Sequence, residues 1–195
     1  MLWSDETKIN CIGSAGKVYV WKQQGEPLSD HTITPTVKHG GGSSLMVWGC
    51  IGWNEVGKLV EVQGKMNAEQ YCEILEDGME ESFEKLEMEE EYYFQQDNDP
   101  KHTLKRAKKW FSDNNIQVLE WPAQSPDLNP IEHLWHHLKS KLQQYDTPPK
   151  RVHELWERVV EEWNKFSPEV CQNLIETMPR WIQAVIKANG GHTKY

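Results

Sequence analysis

Residues 94–111 read FQQDNDPKHTLKRAKKWF, and this stretch decides the fold. Tyr92, Tyr93 and Phe94 begin an aromatic run that favours a strand, and the run ends at Asp97. Asp97, Asn98, Asp99 and Pro100 form a turn, for which an Asx turn ahead of the proline is sufficient explanation. From Lys101 the spacing becomes helical, with Leu104, Ala107, Trp110 and Phe111 directed to a core. Lys101, His102, Lys105, Arg106, Lys108 and Lys109 are the polar residues of that helix, either a solvated face or a basic stripe beside Asp97. A strand that presents an acid at its tip and runs straight into a helix belongs to an α/β protein.

The flanking sequence completes the pattern. Toward the C-terminus, Ile116 to Glu120 read as a short strand, and Asn129 followed by Pro130 marks a helix start. Glu132 then stands where a capping-box glutamate would stand. The apolar stripe of Ile131, Leu134, Trp135, Leu138, Leu142 and Tyr145 leaves Glu132 on the flank of its helix. Toward the N-terminus, a first strand is expected to end near Asp5, and Ser44 to Ile51 and Lys58 to Gln63 are two more strands around a turn at Asn54 to Gly57. A helix from Asn67 to about Leu86 separates this meander from the strand that carries Asp97. Beyond Pro148 the spacing predicts helices over 151–166, 168–177 and 179–188, punctuated by Pro168 and Pro179. The expected architecture is α/β and ribonuclease H-like: one domain over 1–195 with a mixed five-stranded sheet flanked by helices. Residues 8–42 form an insertion after the first strand, and 148–189 form a helical C-terminal extension.

Asp5, Asp97 and Glu132 are the candidate site. Two divalent ions about 4 Å apart, the arrangement used in phosphoryl transfer, need hard oxygen ligands from separate parts of a fold. Two strand tips and a helix start would supply them. Each acid taken alone has a plainer reading as a turn or cap residue; the set is specific because of its surroundings. WSDETKI at 3–9, TVKHGGGSSLMVWGCIG at 36–52, FQQDNDPKHT at 94–103, VLEWPAQSPDLNPIEHLW at 118–135 and the closing GGHTKY, with 34 residues between Asp97 and Glu132, resemble the catalytic domain of Tc/mariner superfamily DDE transposases. The likeness is to the branch that includes Sleeping Beauty and covers almost the whole chain.

The resemblance implies a DNA transposase that cleaves and transfers DNA strands in cut-and-paste transposition. It assigns Asp5 to two Mg²⁺ ions, Asp97 to one and Glu132 to the other, with Mn²⁺ as a substitute. Water attacks first, and the freed 3′ hydroxyl then attacks target DNA in the same pocket. It also implies element-end and target double-stranded DNA as partners, a homodimer of the full-length parent on DNA, and action in the nucleus. The 8–42 insertion corresponds to a clamp that contacts a partner subunit and DNA, with Gly40, Gly41 and Gly42 in its returning limb or in a simple flexible turn. The helix-turn-helix region that recognises element ends is expected to be missing from this chain. A truncated or host-adopted scaffold without catalysis, or a metal-dependent nuclease that never joins strands, would keep the same fold.

Composition sets bounds on these readings. The chain has 195 residues and ten tryptophans, enough for one proper core. Its formal charge of −9 is wrong for a partner of a polyanion. The deficit is local, because the stretch from Glu73 to Glu91 holds ten acids against Lys85 and the remainder balances at 20 acids and 20 bases. There, Tyr71, Ile74, Leu75, Met79, Phe83 and Leu86 recur at helical spacing, so the acids form a solvated helix face. Cys11, Cys50, Cys72 and Cys171 make no CxxC pair and read as reduced core thiols. No HExxH pattern accompanies His133, His136 and His137, so an imidazole metal site is disfavoured. No membrane-span-length apolar run or secretory leader is seen, and the expectation is an intracellular protein without membrane partners.

Overall fold

The computed structural model describes residues 1–11, 44–88, 92–122 and 125–190. The 12–42 part of the insertion, including Gly40 to Gly42, and the tail 191–195 lie outside the described residues. Five strands form one sheet: β1 (Leu2–Asn10), β2 (Ser44–Ile51), β3 (Val60–Val62), β4 (Tyr93–Gln95) and β5 (Gln117–Val118), in the order β3-β2-β1-β4-β5. β1, β2 and β3 are an antiparallel meander, while β4 and β5 add in parallel on the other side of β1. The helices are α1 (Ala68–Leu86), α2 (Pro100–Thr103), α3 (Lys105–Asp113), α4 (Pro130–Leu142), α5 (Val152–Trp163) and α6 (Pro168–Lys187), with a 3-10 turn at Pro126–Leu128.

Strand alternation divides the interior into two cores. Leu2, Trp48, Cys50 and Phe94 pack under α1 and α3, and Trp3, Ile9, Leu45 and Val47 pack under α4, α5 and α6. The four cysteines are free and buried, as their spacing predicts. α1 starts where Asn67 caps it, its Oδ1 accepting from the Glu69 and Gln70 N–H groups at 3.0 and 2.9 Å. Its apolar face meets the sheet and its acids face outward, with Lys58 pairing to Asp77 and Glu81 at 3.1 and 2.9 Å. Among the described residues, no helix is long and apolar enough to cross a membrane.

Three expectations are corrected. The first strand does not end near Asp5; it runs on to Asn10, because β2 supplies antiparallel partners from Ile51 back to Ser44. Residues 8–10, read from the sequence as the start of the insertion, therefore belong to β1. The basic helix after Asp97 is two helices, broken at Leu104, whose ψ of 153° is extended. In one continuous helix, nine residues turn about half a revolution out of phase, so His102 and Phe111 could not both face the protein; the break permits it. Finally, Pro179 does not divide the last helix, and α6 runs unbroken through it. The proline removes the N–H that would meet the Ile175 carbonyl. Cys171 and Met178 before it and Trp181 after it lie on the same buried side, and that packing holds the helix together.

α1 approaches β2 where Gly78 lies on the Trp48 indole; a Cβ there would stand 2.4 Å from Cζ3 of that ring. Ala gains about 1 kcal/mol over Gly in a helix, but overpacking a fixed core ring costs about 1–3 kcal/mol. Gly78→Ala is therefore expected to lower the urea midpoint despite the better helix former. An unchanged or raised midpoint would show that the Trp48 ring can yield.

Candidate active site

The parallel register between β1 and β4 pairs Trp3 with Gln95, so Asp5 and Asp97 each lie two residues further on. β4 stops at Gln95 while β1 continues, and the two chains separate at the level of the aspartates. Ser4 Oγ closes the split from one side by donating to the Gln95 carbonyl at 2.9 Å. Asn129 enters from the other, its Nδ2 donating to the Ser4 carbonyl at 3.1 Å. Asn129 is placed as the N-cap residue of α4, but its side chain makes no cap bond. It fastens the helix start to β1, and Glu132 follows one turn later.

Asp5, Asp97 and Glu132 consequently line one cleft of about 450 Å³, together with Gln95, Asn98, Asp99, Trp121 and Asn129 among others. Their charges act on one another. Burial raises the Asp5 carboxyl well above the usual carboxylate range, and Glu132, Glu6 and Asp97 push it further. Burial also raises Glu132, with Lys139 opposing and Asp97 reinforcing the shift. Asp97 differs: burial raises it, but the His102 bond, the Asp99 N–H and the nearby charges of His102 and Lys101 outweigh that and leave it lowered.

Two side chains aim the aspartates. Trp135 Nε1 donates to Asp5 Oδ2 at 3.1 Å. His102 Nδ1 meets Asp97 Oδ1 at 2.5 Å, and the Asp99 N–H reaches the same oxygen at 3.0 Å. Both bonds fall on Oδ1, so Oδ2 is the Asp97 oxygen left for the cleft. The other His102 nitrogen lies 3.1 Å from Glu6 Oε1, and Lys101 reaches Glu6 Oε2 at 3.3 Å and Asp99 Oδ2 at 2.8 Å. The His102 ring stacks on Tyr71 at 4.0 Å between centroids, and the Tyr71 hydroxyl donates to Gln96 Oε1 at 2.6 Å.

His102 is therefore misplaced among the candidate DNA contacts. Only 3% exposed, it braces Asp97 from behind and offers nothing to a phosphate. Lys101 is drawn inward to two carboxylates, and Arg106 pairs with Glu69 at 2.8 Å. Lys105, Lys108 and Lys109 remain as exposed cations on α3. His133 stacks on Trp181 at 4.6 Å between centroids. Sequence reasoning missed Glu6, Asn129 and Trp135 as members of the site. Glu6 adjoins Asp5, and the other two flank Glu132 at one helical turn on each side, which is the sequence signal that could have found them.

The donor set suits a hard divalent cation, and two further features agree. Gln95 Oε1 and Asn129 Oδ1 are buried acceptors without a partner, both on residues of this cleft. The mutual repulsion of the acids is what a cation relieves. Among the described residues no three His, Cys, Asp or Glu groups are drawn tightly enough to close on one ion as placed. Trp135 and His102 hold two of the carboxylates.

The ribonuclease H-like sheet thus carries two acids where β1 and β4 part and a third at the start of α4. The chain belongs to the DDE superfamily endonucleases, whose family pattern it matches over residues 1–155, and within them to the Tc1/mariner-type transposases. It is 42% identical over 194 residues to the Tc1 transposase of Caenorhabditis elegans, covering all of this chain and 70% of that protein. Its fold superposes on the Mos1 transposase paired-end complex with left transposon end (TM-score 0.80, 19% identity, 98% of this chain) and on the Mos1 mariner paired end complex with Mn (0.82, 20%, 99%). The chain spans little more than half of those Mos1 chains, 55% and 56%.

The bonds to Asp97 and Glu6 raise His102 to about 9 against the pull of burial, from an ordinary 6.5. A raised folded-state value means stability that is fully present below about 6.5 and lost as pH rises through about 9. The stability advantage of wild type over His102→Asn in urea unfolding should be largest near pH 6 and should shrink steadily by pH 10. A difference that does not vary with pH would refute the charged assignment.

Proposed function

We propose that this cleft binds divalent cations and carries out DNA phosphodiester cleavage and strand transfer, with Asp5, Asp97 and Glu132 as the metal-holding residues. The observation that carries the reading is the parallel register of β1 and β4, which sets two aspartates side by side, with the Asn129 bond setting α4 and Glu132 against them. Two Mg²⁺ ions, or Mn²⁺ in their place, would activate the attacking oxygen and stabilise the leaving 3′ oxygen. The protein's part is positional. Asp5 feels the charges of both Glu132 and Asp97, and on the family pattern it would hold both ions, with Asp97 and Glu132 each holding one. Trp135 and His102 fix which oxygens face the cleft. No side chain forms a covalent bond to DNA.

Lys105, Lys108 and Lys109 suit phosphate contacts along the strand, their charge being sequence-independent. The Mos1 complex with a transposon end supports DNA as the partner, and pairing of two copies of the full-length parent on that DNA, within the nucleus, fits the same reading. Three intact acids in one cleft favour an enzyme over a scaffold.

Three measurements test it. Mg²⁺ or Mn²⁺ should raise the melting temperature of this chain, and the rise should vanish in Asp5→Asn, since only a native-state binder stabilises by mass action. In EDTA the same variant should melt above wild type, by about 2–4 °C for each kcal/mol of carboxylate repulsion removed. In the full-length parent, Asp97→Ala should cut element-end cleavage by about a thousandfold, the worth of several kcal/mol of metal-supplied stabilisation. Cation-independent melting of wild type, or cleavage by Asp97→Ala at near wild-type rate, would defeat the proposal.

A further inference from the structure

We infer that Trp135 is a positioning residue for Asp5: its indole N–H fixes the carboxylate so that one oxygen faces the cleft, and Gly49 is the glycine that admits the ring. The inference rests on the proposed metal reading of the same cleft and adds a residue to it. Side chains of β1 alternate, so Trp3, Asp5 and Ile9 face α4 while Glu6 faces α2. In the antiparallel register, Asp5 lies directly opposite Gly49 on β2. A side chain at 49 would occupy the same face beside the carboxylate. None is there, and the Trp135 ring fills the place instead: a Cβ on Gly49 would stand 2.8 Å from Trp135 Cη2, 2.9 Å from Leu59 Cδ2 and 3.3 Å from Trp163 Cζ2.

The ring is held from its other face. Trp163 stacks on Trp135 at 4.8 Å between centroids and 24° between planes, and its own N–H donates to the Gly57 carbonyl at 2.8 Å. Trp135 is 1% exposed, so its ring cannot swing away. Packing alone does not require the N–H to be bonded here, because Trp3 Nε1 and Trp48 Nε1 are buried in the same domain without a partner. The bond to Asp5 Oδ2 is a directed one. It ties Oδ2 to the α4 side and, together with the Glu6 backbone N–H that also bonds this carboxyl, removes the rotamer freedom that a ligand would otherwise have to freeze. Trp135 lies one turn beyond Glu132 on α4, so the helix that presents one acid also orients another.

The test separates the N–H from the ring. Wild-type chain and a variant carrying the benzothienyl isostere of tryptophan at 135, in which sulfur replaces the N–H, are titrated with Mn²⁺ while free Mn²⁺ is followed by electron paramagnetic resonance. Melting in EDTA checks the fold. The isostere is expected to keep the wild-type melting temperature and to bind Mn²⁺ about tenfold or more weakly, the usual scale for partners that orient a ligand. Trp135→Phe, which keeps a ring against Trp163 but no donor, should show the same loss of affinity. Gly49→Ala, which forces the indole off Asp5, should show it as well. Isostere and Trp135→Phe affinities within twofold of wild type would overturn the inference while leaving the metal reading intact. Wild-type chain that binds no Mn²⁺ would bring down the metal reading, and this inference with it.

Discussion

Everything at the cleft depends on the parallel register that pairs Trp3 of β1 with Gln95 of β4. Strand geometry repeats every two residues, so that register fixes Asp5 and Asp97 at one level without further help. It also fixes what lies behind them. Asp5 points to the α4 side and Glu6 to the α2 side, and each meets a buried aromatic or imidazole donor there. A slip of one residue would exchange the faces of residues 5 and 6 and dismantle both contacts together.

The helix α4 is docked on β1 through a ladder of directed bonds. Asn129 reaches the Ser4 carbonyl, Trp135 reaches the Asp5 carboxylate, and Lys139 Nζ reaches Thr7 Oγ1 at 2.7 Å. A neutral bond contributes about 0.5–1.5 kcal/mol and one to a charged group about 1.5–3 kcal/mol. The ladder thus contributes several kcal/mol, of the same order as the gain from burying Ile131, Leu134, Trp135 and Leu138 at about 1.5–3 kcal/mol each but smaller. Its value is directional. Apolar packing decides that α4 sits on the sheet, and the three bonds decide its rotation and height, hence where Glu132 projects.

Much of the fold was legible because local chemistry and tertiary demand agree. Ser44–Ile51, the Asn67 cap and the Asn129-Pro130 helix start all lie where residue preferences place them. What escaped is where a distant partner decides. Asp5 looks like a strand end until β2 is present to pair with Glu6 through Asn10. Lys101 to Phe111 looks like one helix until Asp97 and Glu6 draw His102 inward, which a single helical phase cannot satisfy together with Phe111. Pro179 looks like a stop until Met178 and Trp181 share one buried side. Asn129 has the signature of a capping residue, yet a carbonyl 125 positions away claims its amide. The three acids were visible through their surroundings; Trp135 was not, because an indole in an apolar stripe looks like any other core residue, and His102 was read onto the polar face of its helix rather than behind Asp97.

The charges of the cleft are unequally compensated, and that inequality bears on how it works. Asp97 has a buried imidazolium against it and the Lys101 cation nearby, and it is the acid whose carboxyl is lowered. Among the described residues Asp5 and Glu132 have no such counter-ion: a neutral indole holds one, and Lys139, the cation that acts on the other, bonds Thr7. Both are raised. The deficit of positive charge therefore lies on the α4 side, between Asp5 and Glu132, where the register and the helix dock jointly leave two acids facing each other. A fold optimised for stability alone would have neutralised that pair, as it neutralises Glu162 with Lys165 at 2.7 Å. Keeping it unpaired, while bracing Asp97 with His102, is the arrangement expected of a site whose missing charge is supplied from outside the chain.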